Sequence, residues 1–90
     1  METMYLIILF KGHNYSFVSD IHEDAWKKFR SKIDWRAEYI GNSGSRSGIQ
    51  IKLQSYPLSN LLEISEKIVQ MFESKYVKVI KSDKPYNNLS

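Results

Sequence analysis

Cysteine is absent from this chain of 90 residues, which excludes disulfide bonds, thiolate zinc sites and cysteine nucleophiles. Long apolar runs are absent too. The longest, Met4–Phe10, is far shorter than the roughly 20 residues that a membrane-spanning helix needs. Only three residues precede this run and none of them is basic, so the sequence predicts no secretory signal. We therefore expect a soluble, cytoplasmic protein that does not associate with membranes.

The composition is that of a globular protein, with 42% hydrophobic, 13% aromatic and 26% charged residues. A chain of 90 residues corresponds to one domain. The formal net charge is only +3, and this excess lies in the second half of the chain. We predict a single domain over residues 1–81, followed by a flexible C-terminal tail over 82–90, where proline, asparagine and serine are frequent.

Hydrophobic periodicity predicts two helices and four strands. The first helix is expected to begin at Asp20, which with Glu23 forms a capping-box pattern, and to run to about Lys32. The second spans Leu58–Glu73. The predicted strands are Met4–Phe10, Trp35–Ile40, Ile49–Gln54 and Tyr76–Lys81. Tyr15–Val18 is either a short strand or a loop, and Gly41–Gly48 reads as a flexible hairpin loop.

The resulting order, β-α-β-β-α-β, predicts an α+β protein with the ferredoxin-like βαββαβ sandwich: a four-stranded antiparallel sheet with both helices on one face. The usual strand order of that fold, 4-1-3-2, places strands 1 and 3 in the centre. Strand 1 is apolar on both of its faces, as a central strand should be. Strands 2 and 4 carry the charges, which is typical of edge strands.

A sheet covered by helices on one side leaves its other face open, and strand 1 must place apolar side chains there. We predict that Tyr5, Ile7 and Leu9 lie on this open face. An apolar stripe of this kind seldom stays in contact with water. It is expected to be covered by a second copy of the chain, by the C-terminal tail, or by a different protein.

No motif of catalysis or cofactor binding stands out. Asp20, His22, Glu23 and Asp24 are close in sequence, but acidic residues at a helix start satisfy free N–H groups and the helix dipole. The Gly41–Gly48 segment lacks the Gly-Lys-Ser/Thr of a phosphate-binding loop. We therefore expect a protein that is not an enzyme and that uses no metal and no cofactor.

These observations favour a small non-catalytic protein that binds another protein through its open sheet face. Its size and class suggest an inhibitor of the immunity-protein or phage anti-defence type. The predicted partner-binding residues share the open face or its rim: Tyr5, Ile7, Leu9, Arg46, Lys52, Tyr76, Lys78 and Ile80.

Two alternatives remain at this point. One is a nucleic-acid-binding module that uses the basic side chains Arg46, Lys52, Lys75, Lys78 and Lys81. RNA-recognition motifs share this topology, but Gly48 and Gln50 stand where their stacking aromatic residues would be. The other alternative is a homodimer that holds a small ligand or an active site between its subunits.

Overall fold

Strands and helices follow each other in the order β-α-β-β-α-β in a computed structural model, which describes residues 1–42 and 45–86. A short 3-10 turn, Gly12–Asn14, precedes the first helix. The elements are β1 (Glu2–Phe10), α1 (Tyr15–Phe29), β2 (Asp34–Asn42), β3 (Ser45–Ser55), α2 (Leu58–Phe72) and β4 (Val77–Ser82).

The four strands form one sheet with the order β2-β3-β1-β4, and all neighbouring strands are antiparallel. This is the strand order predicted from the sequence, and the ferredoxin-like βαββαβ fold is confirmed. β1 and β3 are central, whereas β2 and β4 are the edges. At the centre of the sheet, Ile7 of β1 pairs with Gln50 of β3 and Ile80 of β4.

The hydrophobic core lies between the sheet and the two helices. Alternate residues of each strand face it because successive side chains of a strand point to opposite faces. Burial of each large aliphatic side chain contributes about 1.5–3 kcal/mol. The fully buried members of the core are Leu6, Ile8, Val18, Ala25, Ile49, Ile51, Leu53, Ile68 and Phe72.

The first helix begins earlier than predicted. Tyr15–Val18 is neither a strand nor a loop but the first turn of α1, and Asp20 lies exposed inside the helix rather than at its start. The N-cap is Asn14, whose side chain makes no capping hydrogen bond. The apolar spacing explains the earlier start, because Val18 extends the buried stripe of Ala25 and Phe29 by two turns.

The β2–β3 hairpin is longer than predicted. Pairing continues to Asn42 opposite Ser45, with a register shift between Ile40 and Gly41. Gly41 has a φ of 101°, a region that suits glycine. Much of the segment 41–48, predicted to be a flexible loop, therefore belongs to paired strands. Residues 43 and 44 lie outside the described residues.

The C-terminal boundary also differs from the prediction. Ser82, placed in the flexible tail by sequence, is the last residue of β4. Residues 83–86 then continue to Tyr86, whose backbone N–H donates to the side chain of Gln50. Residues 87–90 lie outside the described residues. Within the described part of the chain, neither helix has the length and apolar character needed to cross a membrane.

Candidate functional site

The open face is the side of the sheet opposite the helices. Tyr5, Ile7 and Leu9 of β1 lie on it, because the even-numbered residues of β1 pack into the core. Antiparallel pairing arranges the neighbours of these three residues in rows across β3, β1 and β4. The rows are Lys52–Tyr5–Ser82, Gln50–Ile7–Ile80 and Gly48–Leu9–Lys78.

The centre of the open face is covered. Ile7 is completely buried and Gln50 is 7% exposed, although both helices lie on the opposite side of the sheet. The C-terminal segment, residues 83–86, reaches this centre at Gln50. The Tyr86 backbone N–H donates to Oε1 of Gln50, and Nε2 of Gln50 donates to Oε1 of Glu38 at 3.2 Å. The middle of the face therefore already holds a short polypeptide segment.

A shallow cavity of about 200 Å³ lies where this segment meets β2 and β3. Its walls combine the apolar side chain of Ile40 with the polar groups of Glu38 and Gln50, and Pro85 and Tyr86 complete it. Around the covered centre, Tyr5, Leu9, Lys52 and Ile80 remain half-buried. Lys78 is exposed. The rim of the face thus offers apolar contacts next to two lysines.

Two residues predicted for the open face lie elsewhere. Tyr76 precedes β4, is 51% exposed, and contacts the ring of Phe17 on α1 edge-to-face, with 6.0 Å between ring centroids. Arg46 lies on the helix side of the sheet. The register shift in the β2–β3 pair changes the alternation of β3 at this point, because a bulge inserts one extra residue and re-aims the side chains beyond it.

The five basic residues of the nucleic-acid alternative do not share one surface. Lys52 and Lys78 belong to the open face. Lys81 lies on the helix side, where it forms a salt bridge with Glu66. Lys75 lies outside the strands and is 5.2 Å from the ring centroid of Tyr76. A nucleic acid binds best to a clustered basic face. These four lysines and Arg46 are instead spread over different surfaces of the protein.

A second group of polar and aromatic side chains lies between α1 and the edge strand β2. The Arg46 guanidinium is 4.5 Å from the ring centroid of Tyr39, and Nη1 of Arg46 donates to the Tyr15 hydroxyl at 2.9 Å. The Tyr39 hydroxyl donates to Oγ of Ser19 at 3.3 Å. Hydrogen bonding with Tyr39 and the positive charge of Arg46 lower the pKa of Tyr15, whereas burial raises the pKa of Tyr39.

The same boundary contains a histidine–tryptophan pair. Nε1 of Trp35 donates to Nε2 of His22 at 3.1 Å, and the two rings are 5.6 Å apart. Burial lowers the pKa of His22, so the neutral ring that accepts this hydrogen bond is favoured. We name the group formed by Tyr15, Ser19, His22, Trp35 and Tyr39 the α1–β2 seam.

Sequence reasoning missed the α1–β2 seam. The alternation of Trp35 and Tyr39 is visible in the sequence, but a helix that starts at Asp20 leaves out Tyr15 and Ser19, which lie beside Tyr39. The available signal was the spacing of Tyr15, Ser19 and His22, which places them on one side of a helix. Among residues 1–42 and 45–86, no group of three or more His, Asp or Glu side chains is arranged to hold a metal ion.

No family model matches the sequence, and no curated protein matches it. Three de novo designed proteins are similar in structure. Ferredog-Diesel is 13% identical with a TM-score of 0.60, over 90% of this chain and 84% of that chain. LFR1 1, described as having a ferredoxin fold, is 10% identical with a TM-score of 0.55, over 91% and 84%. Foldit4 is 12% identical with a TM-score of 0.55, over 92% and 96%.

At these identities the likeness shows the fold alone. The ferredoxin-like fold carries many unrelated activities, so function must be argued from the surfaces of this chain.

Proposed function

We propose that this protein binds another protein through its open sheet face and acts without catalysis. The observation that supports the proposal is the C-terminal segment, which lies on that face. The backbone N–H of Tyr86 in this segment donates to Gln50 at the centre of the face, which supports a site that accepts hydrogen bonds from a polypeptide backbone. A partner would use the half-exposed rim around this segment or would replace the segment itself.

The contacts of the segment show how such binding would work. Gln50 is held by Glu38 and presents its carbonyl oxygen to a backbone N–H, that of Tyr86. Ile7, which pairs with Gln50 in the sheet, is completely buried. A hydrogen bond that fixes the position of a bound peptide and an apolar surface whose burial supplies free energy therefore lie side by side on this face.

The rim adds apolar and charged contacts. Tyr5, Leu9 and Ile80 are half-buried around the covered centre. Lys52 lies beside Tyr5 and Lys78 beside Leu9. A partner with apolar side chains flanked by carboxylates complements this rim, because opposite charges at the edge of an interface steer association and fix its orientation.

An inhibitor of the immunity-protein or phage anti-defence type is the role that we propose for such a protein. A single small domain that blocks a target needs one binding surface and no chemistry of its own. The support for this class is the size and fold of the chain.

The proposal is tested by capture on the immobilised protein from a nuclease-treated lysate, with a wash at high salt. Replacing both Tyr5 and Leu9 by serine should abolish retention of one stoichiometric protein. Tyr56→Ser is the matched control, because Tyr56 is 80% exposed and lies outside the sheet. Cooperative urea unfolding of each variant verifies that the fold persists.

Other outcomes would overturn the proposal. Retention that is unchanged in the Tyr5 and Leu9 variant places the binding surface elsewhere. Material that is lost on nuclease treatment or at high salt indicates a nucleic-acid binder, because phosphate contacts weaken steeply with ionic strength. Recovery of the bait with no other protein would also contradict the proposal, whatever the oligomeric state of the bait.

A further inference from the structure

The outer edge of β2 has no strand paired with it among the described residues, since β2 is the first strand in the sheet order. Its charges alternate in sign from Asp34 through Arg36 to Glu38. We propose that β2 pairs with β2 of a second copy of this chain in antiparallel orientation, centred on Ala37. Two four-stranded sheets would then form one continuous sheet.

The charges on the open face are self-complementary in this register. A two-fold axis through Ala37 places Arg36 of each copy directly opposite Glu38 of the other. Opposite charges on directly facing residues stabilise antiparallel pairs, and like charges destabilise them. Arg36 is exposed and forms no ion pair with a carboxylate of the described residues. It is therefore available to the second copy.

The helix side of β2 is complementary in the same register. Trp35 of one copy faces Tyr39 of the other, again twice, and aromatic cross-strand pairs are favourable. Both side chains are held by α1, Trp35 through His22 and Tyr39 through Ser19. The small Ala37 at the axis lets the two strands approach without a side-chain clash.

Neighbouring registers are less favourable, so the sequence selects one pairing. Centring on Arg36 would bring two arginines together, and centring on Glu38 would bring two glutamates together. A register centred on Trp35 would pair only the first few residues of β2, which begins at Asp34. Among these four registers, only the one centred on Ala37 pairs most of β2, residues 34–40, and also brings opposite charges face to face.

The test is sedimentation equilibrium of the full chain over a range of concentrations at low salt. The wild type should dimerise reversibly. Arg36→Glu should weaken the dimer at least about tenfold, because two attractive pairs become two repulsive ones. Glu38→Arg should act in the same direction, and the double variant R36E/E38R should restore association. Lys11→Glu, an equal change of charge at an exposed position outside the four strands, is the matched control and should leave the dimer unchanged.

A wild type that stays monomeric at the highest concentration would overturn the inference, as would a double variant no better than its parents. A dimer that dissociates on Tyr5→Ser but tolerates both charge reversals would place the interface on the open face instead. These outcomes are independent of the capture experiment, so either proposal can fail without the other.

Discussion

The two edges of the sheet differ in both charge and length. β2 spans Asp34–Asn42 and carries charges of both signs, whereas β4 spans Val77–Ser82 and carries only lysines, Lys78 and Lys81. Any antiparallel pairing of β4 with its own copy lacks an opposite charge to face these lysines. Lysines on an edge strand discourage association. The comparison teaches that charged side chains prevent an edge strand from pairing with its own copy only when no charge faces an opposite charge in that pairing.

The two helices contact the two edge strands in different ways. α1 contacts β2 through the α1–β2 seam, in which hydrogen bonds connect half-buried aromatic and polar side chains. α2 contacts β4 through a salt bridge between Glu66 and Lys81, whose side chains are 50% and 47% exposed. Buried polar groups are costly to disrupt, while exposed ion pairs contribute little. Changes at β2 should therefore have larger effects than changes at β4.

The largest effect is expected at Gly41, where β2 meets the bulge. Gly41→Val should reduce the free energy of unfolding by about 2–3 kcal/mol. Its φ is positive, and an added Cβ would lie 2.6 Å from the carbonyl oxygen of Ser45. The measurement is urea unfolding followed by tryptophan fluorescence.

Gly12→Ala is the control for that substitution. A Cβ at Gly12 would meet the carbonyl oxygen of Arg46 at an ordinary 3.6 Å, so a change below about 0.5 kcal/mol is expected. Equal losses for the two variants would show that the backbone geometry at Gly41 is not what stabilises the hairpin.

The fold could be predicted because the apolar residues that determine it recur at regular intervals in the sequence. Alternation along Ile49–Gln54 and helical spacing along Leu58–Phe72 fix which residues are buried, and burial fixes the layers. The start of α1 was predicted wrongly because Asp20 resembles a cap in sequence, while the burial of Val18 decided the outcome. Tertiary packing overrides a local capping preference.

The surfaces were less predictable because they depend on single local features of the chain, such as one inserted residue or one contact between distant residues. One extra residue in β3 reverses the side on which Arg46 lies, and the sequence between Gly41 and Gly48 does not reveal where that residue is inserted. The hydrogen bond to Gln50, the neighbour of Ile7 in the sheet, comes from Tyr86, far away in sequence. Alternation alone could identify an apolar open face but not the chain segment that lies on it.

A smaller effect is expected from the seam of β2 with α1. Because burial lowers the pKa of His22 in the folded state, the unfolded chain binds more protons there as the pH falls below about 6.5. The stability contributed by neutral His22 is present above that pH and is lost as the pH falls through the folded-state pKa. His22→Gln should therefore reduce the dependence of unfolding free energy on pH in this range.

The measurement is urea unfolding at several pH values between about 5 and 8, the range in which histidine changes its charge in an unfolded chain. His13→Gln, which replaces the other histidine of the chain in the exposed 3-10 turn, serves as the control. If His22→Gln and the wild type lose stability in parallel as the pH falls, protonation of His22 is not the cause of the pH dependence.

The smallest effect is expected at the salt bridge of β4. A double-mutant cycle with Glu66→Gln and Lys81→Met should give a coupling of about 0.2–1 kcal/mol at low salt. The reason is that both side chains are about half exposed, so water and ions screen their attraction. At 1 M salt the coupling should vanish, whereas the cost of Gly41→Val, which is steric, should not change. A coupling that exceeded about 2 kcal/mol or persisted at high salt would mean that β4 is held as specifically as β2. The contrast between the two edges would then rest on charge pattern alone.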